Sequence, residues 1–344
     1  MKFSNFSFSL FVLGWIFFHT TEIYAQSGEE STLFSFVNQT YDAQAIGRGG
    51  ISSVGRGDKG HYVRGNPALA AEVDKANFTL GFQPYGFDTY TGFLGGSFKL
   101  QSGVVISPLL HYITYSYEQP YDSLGNELEG TIAPFGLIAG ISGAYQWNNT
   151  LFVGGTFSVA HEKLTSELDY GNIKATAGTA FLFDLGMMYR IKKFTAASGV
   201  RNLGFWTGYD SEYADYWKLP TALYASMLWS FTSRIPVGFY FETEKRINSY
   251  LLFSGAFEFS FKRDILSLRF GSSISLDELK EMGNSLSDGS NSVYEYSKRD
   301  WQIFSFGFNI SAPIKTRILF FDFALGFRAD GIAPQLAFSG GLDF

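Results

Sequence analysis

Pro334-Gln-Leu-Ala-Phe-Ser-Gly-Gly-Leu-Asp-Phe344 closes the chain, and its parity decides the fold. Leu336, Phe338, Gly340, Leu342 and Phe344 share one parity, while Gln335, Ala337, Ser339, Gly341 and Asp343 share the other. Successive side chains of a β-strand point to opposite faces, so this stretch has one apolar face and one polar face. An aromatic at the end of such a strand suits the interfacial girdle of a transmembrane barrel. Phe344 is accordingly read as the assembly signal of a closing strand.

The same alternation runs through most of the chain. About fourteen period-two segments fall between residues 76 and 344, an even number, and most reach the 9–11 residues of a tilted transmembrane strand. Phe304, Phe306, Phe308 and Ile310 alternate with Ser305, Gly307, Asn309 and Ser311; Leu319, Phe321, Phe323, Leu325 and Phe327 leave Asp322 on the other parity. Hydrophobic residues make up 46% and aromatics 18%, yet after the first residues no apolar run approaches the ~20 residues of a membrane helix. A soluble domain of this size gathers its apolar residues into longer runs or helical stripes. The expected fold is all-β: a transmembrane antiparallel barrel of about fourteen strands with an N-terminal plug.

Connection lengths sort with strand parity. Those after even-numbered segments are short, such as Gln101-Ser102, Trp147-Asn148-Asn149 and Ile191-Lys192-Lys193. Those after odd-numbered ones include 116–132, 203–218 and 277–300. Short turns at one end and long loops at the other are an outer-membrane pattern, with the long loops extracellular. A β-sandwich has no reason to sort them so.

Residues 1–25 read as an export signal: Lys2, an apolar run from Phe8 to Phe18, and the small Ala25 before Gln26. The expected location is the outer membrane of a Gram-negative bacterium, with membrane lipid as the surroundings. There are no cysteines, so disulfides, thiolate chemistry and N-terminal cysteine lipidation are excluded. A net charge of −6 and a pI near 5.3 argue against a nucleic-acid partner.

Residues 26–75 do not alternate. Their centre is Ala45-Ile-Gly47-Arg48-Gly49-Gly50-Ile-Ser-Ser-Val54, followed by Gly65-Asn66-Pro67-Ala68-Leu69. No phosphate-loop or dinucleotide fingerprint is completed here, so the glycines read as tight turns in a confined lumen. This segment is the expected plug, with residues 76–344 the barrel.

These motifs resemble those of the PorV/PorQ outer-membrane proteins, distant relatives of the FadL hydrophobic-solute channels. The likeness rests on Gly47-Arg48-Gly49-Gly50, on Asn66-Pro67-Ala68-Leu69, on Phe183-Asp184-Leu185-Gly186 and on Val200-Arg201-Asn202-Leu203-Gly204. It continues at Leu219-Pro220 and at Gly255-Ala256-Phe257-Glu258-Phe259 before Leu268-Arg269. The stretch from Asp122 to Thr131 is similar to the PorQ branch, while Gly60-His-Tyr-Val-Arg64 departs from the usual apolar residues. The resemblance implies a non-enzymatic accessory of type IX protein secretion, with other secretion components and surface-attached cargo as partners. The alternative is a FadL-like passive channel for small hydrophobic molecules.

No catalytic, cofactor or metal site is expected: there is no G-x-S-x-G elbow, and the four histidines lie in no metal-ligand spacing. Asp184, Glu242, Glu244, Glu258 and Arg269 oppose apolar neighbours in parity. A charge facing lipid at mid-bilayer is costly, about 2–4 kcal/mol for Arg or Lys and less for Asp or Glu, so these should point inward. The favoured reading pairs them with basic residues of the plug, such as Arg48, Arg56, Lys59 and Arg64. The stretch 203–218 carries Phe205, Trp206, Tyr209, Tyr213, Tyr216 and Trp217 among Asp210, Glu212 and Asp215. Two readings fit it: a partner-binding loop centred on Trp206, Tyr213 and Trp217, or an interfacial aromatic belt.

Overall fold

The computed structural model describes residues 34–55, 64–86, 89–115, 134–163, 177–208, 218–231, 234–247, 251–261, 265–276, 302–328 and 334–344. Within them lie strands β1 (Ala76–Gly86), β2 (Thr89–Lys99), β3 (Val105–Thr114), β4 (Phe135–Gln146), β5 (Leu151–Lys163), β6 (Ala177–Ile191) and β7 (Phe194–Thr207). The second half comprises β8 (Ala222–Phe231), β9 (Val237–Arg246), β10 (Leu251–Phe261), β11 (Leu266–Ser275), β12 (Gln302–Ile314), β13 (Arg317–Arg328) and β14 (Gln335–Asp343). Each strand pairs antiparallel with the next, and β14 returns to β1 to close a barrel of fourteen. Asn77 faces Asp343 and Phe82 faces Phe338 across that seam, and the Phe344 amide donates to the Ala76 carbonyl at 2.9 Å.

Closure follows from what each face must meet. On β1, Phe78, Leu80 and Phe82 are exposed while Asn77, Thr79 and Gln83 are buried; on β13, Leu319, Phe321 and Phe327 are exposed while Phe320, Asp322 and Ala324 are buried. The apolar parity thus faces out and the polar parity in. A closed sheet leaves no edge with unpaired backbone groups, which hydrocarbon would penalise by several kcal/mol each. Outward aromatics stack across strands, as Phe308 does on Phe323 and Phe323 on Phe338, with ring centroids 5.3 Å apart in both pairs.

The barrel has a turn end and a loop end. β2–β3, β4–β5, β6–β7, β8–β9, β10–β11 and β12–β13 are joined at the turn end by a few residues each. Residues 116–133, 164–176, 209–217 and 277–301, at the loop end, fall outside the described set.

One irregularity corrects the sequence reading. β7 does not stop at Asn202 but runs to Thr207, so Trp206 belongs to a strand rather than to an aromatic loop. A bulge causes the difference: Arg201 and Asn202 together oppose the single residue Asp184, and Asn202 takes a left-handed backbone (φ 58°). The extra residue shifts the parity, so Val200 and Leu203 lie three apart and the alternation seems to end where it only changes phase. Beyond the bulge Leu203 and Phe205 face out, while Trp206 packs inward beside Phe34, Phe36 and Leu182. Tyr213 and Trp217 lie outside the described residues.

Before β1 the chain forms one helix, α1 (Ala43–Gly47), and two 3-10 helices, Ser35–Asn38 and Pro67–Glu72. Residues 34–55 and 64–75 pack against the inner faces of the strands.

Candidate functional site

The inner wall and the N-terminal segment form one interlocked surface. Starting near the loop end, Phe34, Phe36 and Val37 pack on Ile113, Ile138, Ala160, Ala180 and Leu182, and the Phe34 amide donates to Glu162 Oε2 at 3.0 Å. Tyr41 stacks on His111 with centroids 4.2 Å apart and packs on Phe93, while Thr91 Oγ1 lies 2.7 Å from His111 Nε2.

α1 is capped by Asp42, whose carboxylate accepts from the amides of Gln44 and Ala45 at 3.2 Å each. It lies on β11 to β14, with Ala43 and Ile46 against Ala324 and Ala337. Gly49 follows with φ +67°, a conformation costly for any side chain, and a Cβ there would strike the backbone of Ser272. The Gly49 amide donates to Ser305 Oγ at 3.0 Å.

Arg48 reaches Glu258 Oε2 at 2.7 Å through Nη2 and at 3.1 Å through Nε, with its guanidinium 4.5 Å from the Tyr240 ring centroid. Arg269 donates from Nε to the same Glu258 oxygen at 2.8 Å and from Nη1 to Asp322 at 2.5 Å. All four charged groups are nearly inaccessible to solvent. Two arginines and two carboxylates leave no net charge, which makes burial at this depth tolerable.

A second cluster joins β7, β8 and β9. Ser53 donates from its hydroxyl and its amide to Glu242 Oε2, and the Ser53 and Ser226 hydroxyls are 2.6 Å apart. Arg201 donates to Glu244 at 2.6 Å and lies 3.5 Å from Glu242, and Arg246 donates to Glu244 at 2.7 Å. Arg201 also donates to the Gly65 carbonyl at 2.8 Å and to Ser52 Oγ at 3.3 Å, so it ties Ser52 and Gly65 to the same point of the wall.

Asn66-Pro67-Ala68 forms the start of the Pro67–Glu72 helix. Asn66 Oδ1 accepts from the Ala68 amide at 3.0 Å, and its Nδ2 donates to Ser53 O at 3.0 Å and Met187 O at 3.3 Å. Pro67 fits the first helical position, where no amide is needed. The wall gives way here: a Cβ on Gly154 would collide with the Pro67–Ala68 backbone, and one on Gly186 with Asn66. Leu69 and Ala70 then pack with Val105, Ala144, Phe152 and Met188, and Arg190 pairs with Glu72.

Asp184, Glu242, Glu244, Glu258 and Arg269 are thus all buried, between exposed or half-exposed apolar neighbours. Their partners differ from the sequence expectation. Among the described residues only Glu258 forms an ion pair with a basic residue of the N-terminal segment, Arg48, whereas Glu242 and Glu244 meet the wall arginines Arg201 and Arg246. Arg56 and Lys59 lie outside the described residues. Sequence reasoning missed Arg201, Asn202 and Glu162. For the first two the signal was present as the three-residue step from Val200 to Leu203.

The turn-end half of the wall is interrupted between β2 and β3. The β2–β3 ladder skips from Gly95/Leu109 to Phe98/Ile106. Pro108, in the skipped stretch, has no amide to donate. The Ser107 hydroxyl spans the gap to Ser97 Oγ at 2.7 Å.

Compared with solved structures, the barrel matches along its length. The toluene transporter TodX of Pseudomonas putida superposes with a TM-score of 0.58 at 12% identity, over 92% of this chain and 98% of that one. The fold is that of the TodX barrel. The monoaromatic hydrocarbon channel CymD gives a TM-score of 0.56 at 12% identity, over 90% of this chain and 98% of that one. A TodX deltaS2S3 mutant gives 0.56 at 11%, over 88% and 99%. No family model matches the sequence. No curated protein matches it either. The likeness to these channels is therefore visible in shape and scarcely in sequence.

Proposed function

We propose that this chain is a passive outer-membrane channel for small hydrophobic molecules, with no enzymatic step. The observation that carries this reading is the end-to-end fold likeness to a toluene transporter and a monoaromatic hydrocarbon channel. Two features of the chain support it. The described N-terminal residues pack inside the barrel, as suits a plug that leaves little room for a wide aqueous pore, and the weakened β2–β3 ladder is the place where a lateral route toward lipid would open. Apolar solutes gain from such a route, since leaving water for hydrocarbon is worth about 0.8 kcal/mol per CH₂.

Initial uptake of radiolabelled toluene by porin-poor Gram-negative cells tests the proposal. Cells making the barrel take up toluene faster than empty-vector cells; equal rates refute the channel.

The secretion reading keeps one specific support, the short motifs Gly47-Arg48-Gly49-Gly50, Asn66-Pro67-Ala68 and Val200-Arg201-Asn202-Leu203-Gly204 shared in kind with the PorV/PorQ proteins. Its partners would be type IX secretion components and cargo. Co-purification from the native membrane separates the two readings: secretion proteins return with the barrel in one case, and the barrel returns alone in the other.

A further inference from the structure

Four buried polar atoms on one stretch of the lumen have no hydrogen-bond partner: Asp184 Oδ2, Tyr224 Oη, and Nε and Nη1 of Arg64. Asp184 is 2% exposed and Tyr224 1%. Buried polar atoms are paired in nearly all native structures, so a concentration of unpaired ones asks for a cause.

Asn202 ties these groups together. Its amide donates to Asp184 Oδ1 at 2.6 Å, its Oδ1 accepts from Arg64 Nη2 at 3.3 Å, and its Nδ2 donates to Asn38 Oδ1 at 2.6 Å. Tyr224 Oη comes over the same wall, because a Cβ on Gly186 or Gly199 would collide with it. The β7 bulge creates the node by turning both Arg201 and Asn202 inward opposite Asp184. Toward the loop end the node borders the apolar cluster of Phe36, Ile138, Leu182 and Leu219.

We propose that this node is a subsite for the single neutral polar group, a hydroxyl or phenol, of an otherwise apolar solute. Arg64 can only donate and an ionised Asp184 can only accept, whereas a hydroxyl does both and satisfies one of each. A carboxylate would meet Asp184 and an ammonium would meet Arg64, so a neutral group is selected. The solute's apolar body takes the adjoining cluster, where Phe34, Phe36 and Val37 now sit. Val37 and Asn38 roof the node through their bonds to Arg64, Asn202 and Pro220, so the solute enters by displacing them. Phe34 holds a left-handed backbone (φ 55°), unfavourable for a non-glycine residue, and its release lowers the cost of that displacement. The inference rests on the channel reading and narrows its substrate class.

The test compares 4-butylphenol with butylbenzene, matched in apolar body, by uptake into porin-poor cells and by equilibrium binding to the purified full-length barrel. The phenol is preferred roughly 5- to 10-fold, the worth of one good hydrogen bond. Asp184→Leu with Arg64→Met abolishes that preference, and Tyr224→Phe, which removes a single oxygen and leaves the wall intact, reduces it. A heat-modifiability gel confirms that each variant is folded. Equal handling of both solutes, or a preference unchanged in the folded variants, overturns the subsite and leaves the channel standing. If neither solute is taken up, the channel reading fails and binding to the purified barrel decides the subsite: a phenol preference there upholds it, and no preference overturns it.

Discussion

Residues 43–50 meet the wall around a charge network on β10, β11 and β13, whereas Pro67–Glu72 meet β3 to β6 mainly by apolar packing, with one ion pair from Glu72 to Arg190. At the first contact Arg48, Glu258, Arg269 and Asp322 share hydrogen bonds of 2.5–3.1 Å in a dry interior. At the second, Leu69 and its neighbours fill an apolar hollow, and the wall keeps glycine where the Pro67–Ala68 backbone comes closest. A buried ion network gains little over an apolar replacement, but it fails badly if one partner is lost. An apolar contact loses stability in proportion to the volume removed. The charged contact therefore sets where the segment docks, and the apolar contact supplies more of its holding energy.

The sharpest way to break this contrast is Glu258→Leu. It removes the carboxylate that Arg48 and Arg269 share, and the expected loss is about 3–5 kcal/mol, read by urea unfolding of the barrel in detergent. Adding Arg48→Met to that variant recovers much of the loss, since Arg269 and Asp322 remain as a pair. A double variant as unstable as the single one would mean that the network holds the segment by strength and not by balance. Leu69→Ala tests the other contact. It costs roughly 2–3 kcal/mol, the low end for such truncations because a short 3-10 helix can settle into the space. No second substitution on the charged side rescues it. The smallest effect belongs to Asp42→Ala, which removes the cap of α1 at about 1 kcal/mol, while Asp42→Asn stays close to the parent protein. A loss from Asp42→Ala as large as that from Glu258→Leu would place the cap inside the charged network.

The barrel could be read from parity because a membrane enforces it at every outward position. Phe304, Phe306 and Phe308 had to share a face, and Asp322 and Arg269 had to take the other. Parity assigns a face but says nothing about who stands across the lumen. Glu244 and Glu258 look alike in sequence, yet one meets wall arginines and the other meets Arg48. Those partners depend on how the non-alternating residues 34–75 fold back, and no period in that stretch encodes it. Trp206 was assigned to a loop for a related reason: a single bulge residue inverts parity downstream, and a pattern reader loses a strand that is still there.

The seam between β1 and β14 fixes a chronology. Asn77 and Asp343 lie at opposite ends of the barrel sequence and are neighbours in space, so this pairing waits until the final strand has been delivered. Until Ala76 and Phe344 join, the cylinder is an open sheet whose interior can still be filled from the side. Afterwards the glycine-lined recesses around residues 47–49 and 66–68 are sealed. The last pairing to form is therefore also the one that shuts the side of the cylinder.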